Sequence, residues 1–403
     1  MGRPAAASWG FASDLDDIAG EVAIVGVGEA EHSKASGRGS HEIAVEAIEA
    51  ALADAGMEIA DIDGIMFSPA MGDQLDEQAF RERFGVQHEL WTSHQGGGMV
   101  WAGTAPHAAA RAIRSGAAST ILNVFSVAWA TQRSSMTGGP GQFHADEQFK
   151  ANLEIPFGWF PQPVYFSTIA RRHMAEYGTR PEQLGSVAIS ARRHANGHPG
   201  AVMRDKALSL EDYLSRPMLA DPLRVEDCCL ISDGGAAYIM TSTERARDLA
   251  KTPVVVSGVG EGHSGSGAYW SQQGDFTATP QVFSAPRAFA MAGIAPSDVD
   301  LLTLYDPFTI VTLMQIEDMG FCDKGEGGAF VQGGRLDFDA GGLPTNTHGG
   351  MLSHAYVLGI SHVVEVVRQL RGEAANQVAD AEIGVYGGYT GHMASTLVLT
   401  TES

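Results

Sequence analysis

The run Glu21-Val22-Ala23-Ile24-Val25-Gly26-Val27-Gly28 is apolar at almost every position. Such a short, continuous apolar stretch predicts a strand buried on both faces and ending at its glycines. From Ser40 to Ala55 apolar residues recur at intervals of three and four, which predicts an amphipathic helix with Gly56 as its stop. Another strand is expected near Gly64-Ile65-Met66-Phe67. Pro253-Val254-Val255-Val256 reads as a further buried strand, with the proline at its first position, where a missing N–H is tolerated.

The same phrase occurs twice. Ala55-Gly56-Met57-Glu58-Ile59-Ala60-Asp61-Ile62-Asp63 lines up without a gap on Ala292-Gly293-Ile294-Ala295-Pro296-Ser297-Asp298-Val299-Asp300. Each follows an alanine-rich helical segment and precedes an apolar strand. Gly97-Gly98-Met99 and Gly349-Gly350-Met351 make a second echo, each ahead of a helical pattern. Two similar α/β halves are therefore expected, at about 21–250 and 251–403, behind a loose arm at 1–20. Residues 130–225 are less periodic, rich in aromatics and histidines, and carry Gly138-Gly139-Pro140-Gly141. They read as an insertion in the first half, of the kind that builds lids or substrate walls.

Composition narrows the function. The chain has 403 residues, 44% hydrophobic and 18% charged, enough for a substantial core. Its net charge of −22, with only short Arg-Arg pairs at 171–172 and 192–193, argues against binding nucleic acid or anionic lipid. Three cysteines, no apolar stretch of signal or membrane-span length, and no disulfide framework make the cytoplasm the expected location.

Several chemistries find weak support. His194 and His198 share a helical spacing but lack a third ligand, and Gly197 and Pro199 interrupt the helix, so no metal is expected. Gly26-Val27-Gly28 lacks the third glycine of a dinucleotide fingerprint. Lys324 sits among Asp323, Gly325 and Glu326 and reads as a solvated turn rather than a Schiff-base lysine. Cys228 and Cys229 read as small buried hydrophobes. What remains is a set of glycine-rich loops: Ser93-His94-Gln95-Gly96-Gly97-Gly98, Asn346-Thr347-His348-Gly349-Gly350 and Gly384 to Gly391. Glycine lets backbone N–H groups approach a ligand or a developing oxyanion.

Those loops, in that order, resemble the thiolase superfamily, especially its sterol-carrier-protein-associated branch. The resemblance implies a duplicated α/β fold of five layers, αβαβα, with two mixed sheets. The nucleophile loop of thiolases matches Ser93-His94-Gln95-Gly96, with Ser93 in place of cysteine. The second catalytic loop matches Tyr305-Asp306-Pro307-Phe308. The loop carrying the catalytic histidine matches Ala355-Tyr356-Val357-Leu358-Gly359, and the final cysteine loop matches Val385-Tyr386-Gly387-Gly388. All four catalytic positions differ, and two have become tyrosine.

Leu304-Tyr305-Asp306, Met319 to Glu326, Asn346 to Gly350 with Ala355-Tyr356, and Val367 to Gly372 are similar to the thiolase-like aldolases that shorten steroid side chains. That resemblance implies retro-aldol cleavage of a β-hydroxyacyl-CoA to a ketone and a short acyl-CoA. Tyr305 and Tyr356 would face one substrate carbon as acid and base, with His94, His348 and His354 as candidates to stabilise a phenolate. Gly387 and Gly388, with Gly97 and Gly350, would lie against the thioester. No cofactor is implied beyond the coenzyme A carried by the substrate. The implied partners are a small OB-fold protein with a zinc ribbon, or a hydratase-associated OB domain, and a second copy of the chain. Two other functions stay open: an acyltransferase using Ser93 or a cysteine brought in by folding, and a non-catalytic acyl-CoA-binding scaffold.

Overall fold

A computed structural model describes residues 8–68, 74–133, 150–265 and 270–401. Gly138-Gly139-Pro140-Gly141 lies outside them. The first half runs β1 (Gly10–Ala12), β2 (Val22–Glu29), α1 (Ser40–Ala55), β3 (Gly64–Met66), α2 (Glu77–Phe84), β4 (Trp91–Ser93), α3 (Val100–Arg114) and β5 (Thr120–Ala128). The segment that follows holds α4 (Trp129–Gln132), α5 (Gln162–Tyr177), α6 (Pro181–Gly197), α7 (Leu210–Ser215) and a hairpin of β6 (Met218–Ala220) and β7 (Leu223–Arg224). β8 (Asp233–Ser242) and α8 (Thr243–Ala246) close the half. The second half runs β9 (Val254–Ser264), α9 (Gln281–Ala292), β10 (Leu301–Leu304), α10 (Thr309–Asp318), α11 (Gly327–Phe330), α12 (Ile360–Arg371), β11 (Ile383–Tyr389) and β12 (Met393–Thr401).

The halves repeat one topology. In the first, the order is β2-β8-β5-β3-β4; in the second it is β9-β12-β11-β10. The parallel pairing of Ile65 with Leu122 on one side and Thr92 on the other is matched by Leu302 with Val385 and Thr345. Two residues of β2, Ala23 and Ile24, pair with Val255 and Val254 and join the two mixed sheets into one path of ten strands with β1.

The echoed phrase is an echoed shape. α1 and α9 both end at a left-handed glycine, Gly56 (φ +66°) and Gly293 (φ +70°), followed by a 3-10 turn and a parallel strand. β2 is apolar throughout because helices cover both its faces. A Cβ on Gly28 would stand 2.3 Å from the backbone of α1, and one on Gly260 of β9 would stand 2.0 Å from that of α9. Only glycine permits helices so close to these strands. α1 covers the first sheet and α9 the second, while α3 and α12 touch strands of both. The result is five layers, with α3 and α12 in the middle.

The arm is not loose over its described part. β1 pairs antiparallel with β9, from Gly10 opposite Ser264 to Ala12 opposite Gly262, and Ser13 Oγ donates to Glu261 at 2.7 Å. A three-residue strand whose partner lies some 250 positions away leaves no local period to read. Among the described residues no helix is long and apolar enough to cross a membrane.

Candidate active site

Tyr305 directly follows β10, and its N–H donates to the Gly387 carbonyl at 2.8 Å. Asp306, next in sequence, is fully buried and accepts from Met351 N–H at 2.8 Å, Leu352 N–H at 3.3 Å and His362 Nε2 at 2.9 Å. Those two amides open a π-helical turn, Gly350–His354, whose exit carries Tyr356. One carboxylate therefore fixes the Tyr356 loop to the Tyr305 loop. A third loop completes the arrangement: Ser232 Oγ accepts from Tyr356 N–H at 2.7 Å, and Cys229 N–H donates to the Pro307 carbonyl at 2.9 Å.

These contacts bring the two phenols together as neighbours that shift each other's titration. Tyr356 lines a cavity of about 520 Å³ with Trp129, Phe160, Pro161, Pro163, Cys229, Leu230 and Ile231, and with Arg133 and Gln162 as polar members. The Trp129 ring lies 5.0 Å from that of Tyr356. Tyr305 is not among the residues that line the cavity. The expectation that both phenols face the substrate is corrected accordingly. Arg133, Phe160, Pro161, Gln162 and Pro163 come from the 130–225 segment, which supplies much of the wall.

Burial pushes both phenols far above the ordinary tyrosine range. The proximity of Cys229 adds to the rise at Tyr356, and the neighbouring Tyr305 hydroxyl draws it back. At Tyr305 the neighbouring Tyr356 adds to the rise.

The histidines expected beside the phenols lie elsewhere. His94 is exposed, its ring 6.1 Å from that of Phe67, because the chain turns outward after β4. His348 and His354 are fully buried, with ring centroids 5.0 Å apart, and His348 is 4.6 Å from His362. Burial, then the neighbouring histidines, hold both well below the ordinary imidazole range, so they are neutral. His354 ends the turn that leads to Tyr356, and His362 bonds Asp306 in the Tyr305 loop.

None of the four glycines lines the cavity either. Gly387 and Gly388 lie within β11, paired with Thr396 and Ser395 of β12. A Cβ on Gly388 would stand 2.6 Å from the Met99 carbonyl, so the residue is small to admit the turn into α3. Gly97 (φ +91°) donates its N–H to Asn123 Oδ1 at 2.7 Å, and a Cβ on Gly350 would stand 2.1 Å from the Asp306 carboxylate. Their smallness serves close packing around the tyrosine loops.

Other candidates are settled by their neighbours. Ser93 lines a separate depression with Trp91, Gln95 and His107. Lys324 is no solvated turn: its Nζ is 3.0 Å from both Glu317 and Asp318. Burial lowers its pKa, but these carboxylates outweigh that and hold it above the ordinary lysine range, the wrong direction for a Schiff base. His194 accepts from Phe338 N–H at 3.2 Å and bonds the Asn346 carbonyl at 3.1 Å; burial holds it at about 4. Cys229 and Asp306 are the residues that sequence reasoning passed over. For Asp306 the signal was its place beside Tyr305; for Cys229 no local pattern pointed to the cavity.

The family model described as "Thiolase C-terminal domain-like" matches residues 260–402. A steroid side-chain-cleaving aldolase of Thermomonospora curvata is 36% identical over 395 residues, covering 95% of this chain and 98% of the relative. The chain belongs to the thiolase superfamily. A 17-hydroxy-3-oxo-4-pregnene-20-carboxyl-CoA lyase of Mycobacterium tuberculosis is also 36% identical, over 95% of this chain and 100% of its own. The solved structure titled Ltp2-ChsH2(DUF35) aldolase superposes with a TM-score of 0.85 at 34% identity, covering 96% of this chain and 99% of that one. Ser93, expected at the nucleophile position, lies outside the cavity, and Val385 lies inside β11.

Proposed function

We propose that this thiolase-superfamily chain is an aldolase. It cleaves a β-hydroxyacyl-CoA, of the steroid side-chain class, to a ketone and a short acyl-CoA by retro-aldol chemistry on Tyr356. One observation carries the reading: a buried phenol, Tyr356, lines an apolar cavity with a second phenol, Tyr305, beside it. The two aldolase and lyase relatives supply the substrate class. The aromatic and aliphatic lining suits a rigid hydrocarbon ring system, and exposed Arg133 at the cavity suits the anionic coenzyme.

The chemistry follows from burial. A phenol held neutral at rest cannot act as a standing base, so Tyr356 must give a proton as it takes one. The β-hydroxyl proton moves to the Tyr356 oxygen while the bond between the α and β carbons breaks and the ketone forms. The original Tyr356 proton goes to the α carbon of the departing thioester enolate, and charge is conserved throughout. Tyr305 holds the oxygen in line and stabilises charge that passes through it. A small OB-fold protein with a zinc ribbon is the expected partner, in keeping with the DUF35 component named in the related complex, and the core is expected to be a homodimer.

The alternative acyltransferase has one specific feature in its favour: folding does bring Cys229 to the cavity. Burial, with Cys228 and Asp306 alongside, pushes its thiol far up, whereas a nucleophile requires the opposite. Incubation with a steroid β-hydroxyacyl-CoA, with and without an OB-fold partner, tests both. Ketone plus acetyl-CoA or propionyl-CoA is the expected product; an acylated Cys229 in the mass spectrum, with no ketone, refutes the aldolase.

A further inference from the structure

The string of buried histidines ends at a set of side chains the aldol chemistry does not use. Glu29 closes β2 and His32 follows three residues later, in the first half; His354 ends the π-helical turn in the second. One donor atom from each lies within 4.8 Å of the other two, and Glu29 Oε1 is 3.9 Å from His32 Nε2. Side-chain exposure is 3% for His32 and 10% for Glu29, and His354 is wholly buried. Among the described residues Glu29 Oε1, His32 Nε2 and both ring nitrogens of His354 have no hydrogen-bond partner.

The remaining atoms of these side chains are held as ligands are held. The His32 ring lies beside the Gly235 backbone, and its Nε2 is left bare. The second oxygen of Glu29 accepts from Arg368. Room for the His32 ring exists only because residue 234 is glycine: a Cβ there would stand 2.3 Å from ring carbon Cδ2. Buried polar atoms left unpaired cost about 1–3 kcal/mol apiece, so a cluster of them calls for an occupant.

We propose that Glu29, His32 and His354 bind one divalent ion of the zinc type, with water as the fourth ligand, tying the turn before Tyr356 to the end of β2. Two imidazoles and one carboxylate suit zinc or cobalt rather than magnesium or calcium, which take oxygen sets. Bonds of about 2.0–2.2 Å place tetrahedral donors about 3.4 Å apart, a closure reached by side-chain rotation from the separations present. Glu29 offsets the Arg368 guanidinium and part of the ion's charge. The site is independent of the aldolase reading.

The test uses tag-free full-length chain equilibrated with Co²⁺ or Zn²⁺, desalted and analysed for metal, with the visible absorption of Co²⁺ as a report on nitrogen and oxygen ligation. One equivalent per chain is expected, with d–d bands of a low-coordinate ion and a Tm rise of about 2–4 °C with Zn²⁺. Glu29→Gln and His32→Phe should each lose the bound ion and the Tm rise. Wild-type chain that retains well under one equivalent overturns the proposal without recourse to a variant. Equal uptake by wild type and both variants overturns it too.

Discussion

Replacing Tyr356 with phenylalanine removes one oxygen and little else. The ring is 7% exposed and packs on Trp129, so the aromatic contacts survive. The structural loss is the polar neighbour of the Tyr305 hydroxyl, worth at most about 1 kcal/mol where water from the cavity can take its place. For a chain of 403 residues that corresponds to a fall in Tm of about 1 °C. The chemical loss is of another order. Without its oxygen the site has neither acceptor for the β-hydroxyl proton nor donor to the α carbon, and such transfers contribute about 10²- to 10⁴-fold. Expected, then, is a kcat lowered by two to four decades, roughly 3–5 kcal/mol on the barrier, in a protein that melts almost as before.

The assay is single-turnover release of ketone from a steroid β-hydroxyacyl-CoA, read by mass spectrometry beside thermal unfolding of the same samples. A double variant sharpens it. If Tyr305 acts through Tyr356 alone, Tyr305→Phe should cost nothing further once Tyr356 is gone. A Tyr356→Phe chain that keeps more than a tenth of the wild-type rate refutes the mechanism. Losses that simply multiply in the double variant would show that Tyr305 reaches the substrate on its own.

Other consequences can be checked with the same materials. Tyr305→Phe in the wild-type background should lower kcat by about 10- to 100-fold, the value of a hydrogen bond to a charged oxygen, with KM little changed. Cys229→Ala should retain cleavage within a few-fold, and loss of turnover there would revive the acyl-enzyme route. Asp306→Asn puts an amide where Met351 and Leu352 N–H groups need acceptors; stability should fall by about 1–3 kcal/mol and kcat should drop with it, as urea titration and the ketone assay would show. Glu365 is raised by burial to about 7 from an ordinary 4.5. Its native form holds a proton the unfolded form has lost, so its contribution is complete below pH 4.5 and lost as pH rises through 7. Relative to wild type, Glu365→Gln should therefore gain about 3 kcal/mol between pH 4.5 and pH 8; urea midpoints at the two pH values that move in parallel would contradict this.

The fold was legible because duplication writes itself locally. Gly56 and Gly293 stop equivalent helices, and the apolar runs at 22–28 and 253–256 begin equivalent strands. What was not legible was pairing across distance. The β1–β9 ladder joins residues about 250 positions apart, and nothing in Gly10-Phe11-Ala12 marks an edge strand. The second echo shows the same limit. Gly97-Gly98-Met99 leads straight into α3, whereas Gly349-Gly350-Met351 leads into a π-helical turn, and α12 waits until Ile360. The wider turn exists because the Asp306 carboxylate caps it from another loop, a contact that no period in the local sequence encodes.

The site divides along the same line. Tyr305 and Tyr356 were identifiable because each sits in a motif, but that Tyr356 alone of the two lines the cavity depends on how the loops pack. Glycine misled for a physical reason: it is required wherever backbone meets ligand and wherever backbone meets backbone, and here Gly350 and Gly388 meet Asp306 and Met99. Histidine misled in the opposite direction. Spacing drew attention to His194 and His198, while nothing in Glu29-Ala30-Glu31-His32 marks a ligand set locally, since His354, which completes it, lies in the other half of the molecule. A cluster assembled from both halves of a duplicated fold can be read only after the halves are packed together. The same packing puts Tyr356 two residues beyond His354, so whatever holds His354 also positions the phenol.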